Sequence, residues 1–306
     1  MGVRKNQALL TATERAAFIA AVKAVKANGI YDIFVEQHRT AMLDGGTNSV
    51  DPAHLGPAFL PWHREYLHRF ELELQKLDPN VTLPYWDWTI DNSETSSIWD
   101  PEFLGSNGYK GPFGPGNPKG LEVTTGPFAH STGDWELTIL DPDETDPFLK
   151  REFGVMGRLP SQRLVDTVLA IVPYDSAPWT FGAEGFRNSL EVQIHNNAHM
   201  WVGGSMMAAS SPNDPVFWLH HCNIDKLWAQ WQKEHPDQNF IPDRSSVPNA
   251  PPGHALDDPM WPWQGEPNPP TPRNVLDYKA LGYTYDTDPL NKVSISQENL
   301  GNNSFK

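Results

Sequence analysis

Apolar residues recur along this chain at the spacing of amphipathic helices. In residues 11–26, Phe18, Val22 and Val25 fall three or four apart, so that their side chains share one face of a helix. The same criterion predicts further helices at residues 31–42, 61–77, 161–170, 190–202 and 215–233. The pattern therefore predicts a mainly α fold.

Long irregular segments separate these helices. Residues 101–120 hold six glycines and four prolines, which indicates a loop. Residues 242–272 contain ten prolines, but Trp261 and Trp263 within them favour a segment packed across the domain surface over a free linker. Residues 281–285 alternate like the edge of a strand. We therefore expect long loops and minor β structure beside the helices.

Length and composition fit one folded domain, expected over residues 1–286, followed by a polar tail at 287–306. The chain has 306 residues, of which 39% are hydrophobic and 11% aromatic, enough to build a substantial core. Its net charge of −15 argues against nucleic acid as a partner. No apolar stretch approaches the roughly 18 residues of a membrane span.

The cysteine count and the N-terminus bear on where the protein works. A single cysteine, Cys222, excludes an internal disulfide framework. The first residues lack the apolar stretch and small-residue cleavage site of a secretory signal. We expect a soluble protein that is cytoplasmic or exported with a partner, and the sequence leaves the compartment open.

Histidines carry the clearest chemical signal. His195 and His199 lie four apart on a predicted helix, so both imidazoles project from one face and can converge on a metal. Taken alone, such a pair is more often an ordinary surface or core pair. A metalloprotease is a weaker interpretation, because the motif HNNAH lacks the glutamate that HExxH uses as a general base.

The third member of this group would come from His220 or His221, after the apolar residues 216–219. The preceding Asn213-Asp214-Pro215 marks a helix start, a capping side chain followed by proline. From that start, Phe217, His221 and Asp225 fall on one stripe, and His220 points about 100° away. All-imidazole ligation favours copper, since zinc and non-haem iron sites usually include a carboxylate or thiolate.

A second group, His38, His54 and His63, has no short-range geometry that joins its members. His38 lies within a predicted helix, His54 lies in a loop and His63 lies near the start of the next helix. Spacing alone favours ordinary packed histidines here. His68 falls five residues after His63, on a different face, and is interpreted as structural or surface.

Three longer motifs resemble the tyrosinases, which hold a coupled binuclear (type 3) copper site. They are FLPWHR at 59–64, LPYWDW at 83–88 and NDPVFWLHH at 213–221, and the likeness extends from residue 4 to residue 285. It is nearest to the short actinobacterial-type members. The resemblance implies a four-helix bundle around two copper ions.

The resemblance also implies roles for individual residues. Phe217 matches a ring that packs against the copper site, and we also consider it, with Met200, a candidate for contact with the substrate. The copper A ligands would be His38, His54 and His63, and the copper B ligands His195, His199 and His221.

The activity implied is ortho-hydroxylation of monophenols and oxidation of o-diphenols to o-quinones, with O2 as co-substrate and a small phenol as partner. A catechol oxidase or an o-aminophenol oxidase with little monophenolase activity is the alternative among enzymes. Haemocyanin-like oxygen binding is the alternative of another class. Some relatives need a helper protein to deliver copper, and that partner is an expectation from the resemblance alone.

Hydroxylation of a monophenol is helped by a base, because the phenol pKa is near 10. Glu191 lies four residues before His195 and Asn196 follows His195 directly, and in the family these places hold a water that accepts the phenol proton.

The chain departs from the family pattern at one position. Where fungal and plant relatives often carry a cysteine in a thioether crosslink, this chain has Pro52. Cys222 is interpreted as a small buried residue.

Overall fold

The computed structural model describes residues 1–44, 51–108, 120–132, 135–238 and 240–289. Two short strands, β1 (Gly2–Arg4) and β2 (Tyr283–Tyr285), pair in parallel. Short 3-10 turns occur at Gln7–Leu9, Ser97–Trp99, His130–Thr132, Gly204–Met207, Ser211–Asn213, Trp263–Gly265 and Pro272–Val275. The helical segments in these ranges are α1 (Ala12–Ala27), α2 (Ile30–Asp44), α3 (Phe59–Gln75), α4 (Gln162–Leu169), α5 (Phe186–Ser189), a π segment (Leu190–His195), α6 (Asn196–Val202) and α7 (Val216–Glu234).

The local signals in the sequence place most helix ends within two residues. Thr11 caps α1 in a capping box with Glu14, and the Ser161 side chain accepts from the first turn of α4. Asp214 Oδ1 accepts the Val216 N–H at 3.1 Å beside Pro215, and α7 begins there, where the sequence predicts a helix start. The mainly α fold is therefore confirmed.

The helix expected at residues 190–202 differs from its prediction. It begins earlier, with α5, and runs through the π segment Leu190–His195 into α6. At the end of the π segment the Asn196 N–H donates to Glu191 O, a bond across five residues instead of four. Hydrophobic periodicity does not reveal one extra residue in a turn, so the sequence could not predict it.

Four helical elements form a bundle: α2, α3, the α5–π–α6 helix and α7. Aromatic side chains fill its centre, and the Phe70 and Trp218 rings stack at 3.6 Å between centroids. Tyr31 lies edge-on to Phe70 at 5.5 Å and donates its hydroxyl to Pro212 O. This rigid aromatic layer supports the helix faces that carry the histidines.

The two ends of the described chain are joined beside the bundle. Arg4 of β1 is fully buried, and its guanidinium lies 3.5 Å from the centroid of the Tyr283 ring in β2. The strand expected at residues 281–285 is thus present, but Tyr283–Tyr285 are all buried, so its alternation does not mark one exposed face. The β structure is minor, as expected.

The proline-rich segment 242–272 packs against α3. The Trp263 ring is buried and stacks on Trp62 at 5.6 Å, and the Trp62 indole N–H donates to Trp261 O at 2.6 Å. The prediction that this segment lies on the domain surface, held by its tryptophans, is confirmed.

Two expected segments fall partly outside the described residues. Of the loop predicted at 101–120, residues 109–119 are outside them, and of the polar tail predicted at 287–306, residues 290–306 are outside them. Within the described ranges, no helix has both the length and the hydropathy needed to cross a bilayer.

Candidate metal centre

Two groups of histidines meet at the centre of the four-helix bundle. The ligand atoms within each group lie within 4.8 Å of one another, and each group has residues from more than one element. One group is His38 of α2, His54 of the loop before α3 and His63 of α3; the other is His195, His199, His220 and His221.

The two groups are in direct contact. The His63 and His221 rings stack at 4.3 Å between centroids, with 16° between their planes. His54 and His195 lie 6.2 Å apart on the same measure. Two ions held by these groups would therefore be close neighbours.

In five of these histidines Nδ1 is bound to an acceptor of the protein. His38, His63 and His199 donate from Nδ1 to the backbone oxygens of Ala209, Phe59 and Met206, at 2.7, 2.8 and 2.7 Å. His54 donates to the Asp51 carboxylate at 3.2 Å, and His195 to Asn196 Oδ1 at 2.8 Å. With the proton on Nδ1, each Nε2 keeps its lone pair for a metal.

The Nε2 atoms lack partners of this kind. Those of His38 and His63 are buried and have no hydrogen-bond partner in the described structure. Those of His195 and His199 each lie 3.3 Å from His221 Nε2. His195 and His199 thus direct unprotonated nitrogens at His221 Nε2, and a cation held between the three rings would bind all of them. The residues present therefore fit two metal ions.

Trp88 distinguishes His220 from His221. The Trp88 indole N–H donates to His220 Nδ1 at 3.0 Å. Because an indole nitrogen only donates, this Nδ1 carries no proton, and the neutral ring must carry its proton on Nε2. Neither nitrogen of His220 then has a lone pair free for a metal. The geometry favours His221 as the third member, in line with the stripe seen in the sequence.

Electrostatics keep most of these imidazoles neutral. Burial, together with the neighbouring imidazoles, lowers the pKa of His38, His63, His195 and His221 well below its usual value. Burial lowers the pKa of His199 to about 4. His54 is the exception: burial lowers its pKa, but the Asp51 carboxylate outweighs burial and raises it.

A cavity of about 300 Å³ lies over the two histidine groups. Two of its apolar residues, Met42 and Met207, are 41% and 43% exposed, so the cavity is open to the surface. Its lining consists of His38, His54, His195 and His199, the polar residues Asp51, Glu191, Asn196 and Ser211, and the apolar residues Met42, Leu55, Met200, Met206, Met207 and Ala208.

Glu191 and Asn196 line this cavity, and the catalytic role that the resemblance implies for them stays a prediction. Glu191 is 1% exposed; its Oε1 accepts the Leu55 N–H at 2.6 Å and its Oε2 accepts from Arg187 at 2.9 Å. Burial raises the pKa of Glu191, against the opposing effect of Arg187. Met200 also lies in the cavity wall, so its predicted contact with a substrate stays a prediction.

Phe217 needs a correction. Its ring is fully buried and does not line the cavity, so it is not placed to touch a substrate there. It packs against His38 at 4.9 Å and His221 at 4.1 Å between ring centroids. The reason is that its stripe on α7 faces the interior of the bundle. The packing role implied by the resemblance is the one that this position supports.

Several residues of the site were missed from the sequence. Arg187 binds both Glu191 and Asp175, and its spacing of four from Glu191 is a signal that could have indicated the first pair. Asp51, three residues before His54, is a second local signal. Trp88 gave none, because its contact with His220 joins positions that are distant in the chain.

The positions of His68 and Cys222 fit their interpretation as residues without a role in metal binding. His68 is half-buried on α3 and belongs to neither histidine group. Cys222 is a buried free thiol, and burial raises its pKa to about 12.

Comparison with known proteins identifies the family. The family described as the common central domain of tyrosinase matches residues 28–234. Over 94% of its length this chain is 45% identical to a tyrosinase of Streptomyces antibioticus and 44% identical to one of Streptomyces glaucescens, and both are covered in full. It is 41% identical to grixazone synthase of Streptomyces griseus, over 93% of this chain and 99% of that protein.

Solved structures share the fold. A polyphenol oxidase from Thermothelomyces thermophila has a TM-score of 0.68 at 25% identity, covering 93% of this chain and 88% of that one. A functional unit of octopus haemocyanin has a TM-score of 0.61 at 22% identity, covering 94% and 68%. The extent of the sequence identity, together with the match to the central domain, shows that this chain belongs to the tyrosinase family.

Proposed function

We propose that this protein is a copper-dependent phenol oxidase that hydroxylates monophenols at the ortho position and oxidises o-diphenols to o-quinones with O2. The observation that carries the proposal is the pair of buried histidine groups, whose Nε2 atoms converge beneath an open cavity. The names of the Streptomyces relatives support the same activity. A small phenol is the substrate class that a cavity of about 300 Å³ suits.

Copper is the metal that the donors favour. Three imidazoles and no carboxylate or thiolate per ion suit copper, and they leave a coordination position open. Copper A would be held by His38, His54 and His63, and copper B by His195, His199 and His221. When bound, the two coppers supply the binding and reduction of O2.

The residues around the ligands orient them and keep out water. Each Nδ1 bond to a carbonyl or side chain fixes both the tautomer and the direction of the ring. Phe59 and Phe217 are fully buried, and the Phe59 ring lies 5.0 Å from both His63 and His195. These rings close the space beside the imidazoles, so the phenol reaches the site from the cavity side.

Glu191 and Asn196 would accept the phenol proton through a water in the cavity. Both Glu191 oxygens already accept one hydrogen bond, but a carboxylate oxygen has a second lone pair for a water. Asn196 uses Oδ1 to hold His195, which leaves its amide N–H groups to donate to the same water. Hydroxylation needs this proton transfer more than the oxidation of a diphenol does.

Two alternatives follow from the relatives. A catechol oxidase or o-aminophenol oxidase with little monophenolase activity would use the same ligands. The likeness to grixazone synthase, a relative that is not named a tyrosinase, is a reason to test this alternative. Haemocyanin-like oxygen binding is not better supported, because the octopus chain is 22% identical, a likeness that shows the fold alone.

Turnover on three substrates tests the proposal. Protein loaded with two equivalents of copper should oxidise a monophenol, a catechol and an o-aminophenol, with O2 uptake measured for each. In Glu191→Gln, the monophenol rate should fall at least about tenfold more than the catechol rate, the scale of losing a positioned base. Exposed Glu184 offers a matched control, since Glu184→Gln should change neither rate.

The outcomes separate the parts of the proposal. No turnover of any of the three substrates by copper-loaded protein would overturn the oxidase function. Turnover of catechol or o-aminophenol without monophenol would favour the alternative enzymes. Equal relative losses on monophenol and catechol in Glu191→Gln would remove the specific role of Glu191.

A further inference from the structure

His54 differs from the other five proposed ligands because it lies on no helix. It belongs to the loop 51–58 before α3, in which the backbone N–H groups of Ala53, His54, Leu55 and Ala58 all donate to side chains. Asp51 Oδ1 accepts the N–H groups of Ala53 and His54 at 2.8 and 3.0 Å. That contact is local and ends at His54.

Three side chains from distant parts of the chain hold the rest of this loop. Glu191 Oε1 accepts the Leu55 N–H, and the Tyr174 hydroxyl donates to Pro57 O at 2.8 Å. His254 Nδ1 accepts the Ala58 N–H at 3.1 Å. Of these three, His254 belongs to the proline-rich segment, which supplies none of the proposed ligands.

The His254 contact lies between two proposed copper A ligands. Ala58 is four residues after His54, five before His63, and is the residue from which α3 starts. No side chain of the loop itself caps that helix start. His254 therefore supplies, from outside, the acceptor that fixes the junction of the loop with α3.

The fit of the ring against the loop is close. His254 is fully buried, and a Cβ built on Gly56 would lie 2.6 Å from its Cε1 atom. Only glycine at position 56 leaves room for the imidazole. The ring is held in turn by its own segment, where Asp258 Oδ2 accepts the N–H groups of Gly253 and Ala255 at 2.9 and 3.2 Å.

We propose that His254 is a positioning residue for copper A. It fixes the loop 51–58 against α3, and so holds the His54 imidazole where it can bind the same ion as His38 and His63. The inference rests on the proposed copper ligands. Its consequence is selective, because the copper B ligands lie on α6, α7 and the π segment, which His254 does not bind. Loss of the acceptor frees the loop and weakens one of the two copper sites.

The test compares the release of copper from matched variants. His254→Leu removes the acceptor, whereas His254→Asn keeps an oxygen near the position of Nδ1. His235→Leu is the control, since His235 binds Leu169 O away from the cavity. Copper per chain is followed over time against a chelator, with the melting temperature of each apoprotein measured beside it.

We expect wild type, His254→Asn and His235→Leu to release copper at similar rates. His254→Leu should release one of its two ions at least about tenfold faster, the usual scale for loss of a group that orients a metal ligand. Gly56→Ala, which pushes the ring aside, should do the same and decides the question if His254→Leu does not fold. Wild-type rates in both variants, or equal acceleration of both ions, would overturn the inference. Failure of wild type to hold two coppers would instead overturn the proposed function.

Discussion

At the scale of single residues, the site depends on which nitrogen of each imidazole carries the proton. Backbone oxygens bind Nδ1 of His38, His63 and His199, and so turn Nε2 toward the centre of the bundle. Trp88 instead donates to Nδ1 of His220, so the proton of that ring is on Nε2. Adjacent histidines of one helix therefore have different chemistry, although the sequence presents them as a pair.

Copper stoichiometry tests this difference. His221→Ala should bind one copper per chain in place of two, because it removes a nitrogen that faces His195 and His199. His220→Asn should still bind two, since its oxygen can replace Nδ1 as the acceptor for Trp88. Metal analysis after gel filtration gives the ratio. Loss of one copper in His220→Asn and retention of two in His221→Ala would contradict the choice of His221 over His220.

At the scale of elements, a buried charge network joins α7 to its neighbours. Asp225 on α7 accepts from Arg64 of α3 and Arg4 of β1, and from the hydroxyls of Tyr283 and Tyr285 in β2. Its position four residues after His221 places the network one turn from the copper site. The network therefore connects the two ends of the described chain to the helix that carries a proposed ligand.

Removing this charge should cost much stability. Asp225→Asn leaves two buried guanidinium groups with less opposing charge, and we expect the free energy of unfolding to fall by about 3–5 kcal/mol. Asp257→Asn breaks an exposed pair with Arg273, which water screens, and should lower the free energy of unfolding much less. Denaturant unfolding of the two apoproteins measures both. Similar losses in the two variants would show that the network contributes no more than a surface pair.

The pKa of Asp225 sets the pH range of that effect. Burial acts to raise this pKa, but Arg64 and Arg4 outweigh it, so the pKa lies below its usual value. A carboxyl with a lowered folded-state pKa contributes stability above its unfolded-state pKa of about 4, and loses it as pH falls. The difference between wild type and Asp225→Asn should therefore be constant from about pH 5 to 7 and shrink in more acidic solution.

Element by element, the sequence predicted local features better than distant ones. Caps and hydrophobic spacing gave most of the helix ends within two residues, because those signals act within one or two turns. The π segment Leu190–His195 was not predictable, since one extra residue in a turn leaves the hydrophobic spacing of the helix nearly unchanged. The parallel pairing of β1 with β2 joins residues about 280 apart, and no local pattern specifies it.

At the scale of the whole molecule, the net charge predicts a preference among charged substrates. The chain carries a net charge of −15, and the residues that line the cavity include Asp51 and Glu191 but no lysine or arginine among those described. Because Glu191 is paired with Arg187, the expected effect rests on the net charge, which attracts a phenol with a cationic substituent and repels one with a carboxylate. The exposed rim, with Met42, Leu55 and Met207, offers neither sign of charge to such a substituent.

Steady-state kinetics at two salt concentrations test this effect. At low salt, kcat/KM for tyramine should exceed that for 3-(4-hydroxyphenyl)propionate by at least about threefold, and the ratio should shrink at high salt as the charges are screened. Met207→Lys should raise kcat/KM for the carboxylate, with Met207→Gln as its uncharged control. A ratio that salt does not change would exclude long-range charge as the cause.

The sequence by itself determined most of the helices and placed His195 and His199 close together on one helix, because these features depend on spacing within a few turns of one element. The motifs added the family, and through it the six proposed ligands. Only the tertiary structure brought His38, His54 and His63 together, gave His220 its hydrogen bond from Trp88 and left Phe217 out of the cavity lining. It also brought His254 to the loop of His54. Each of these depends on contacts between distant parts of the chain, which form only when the whole core packs.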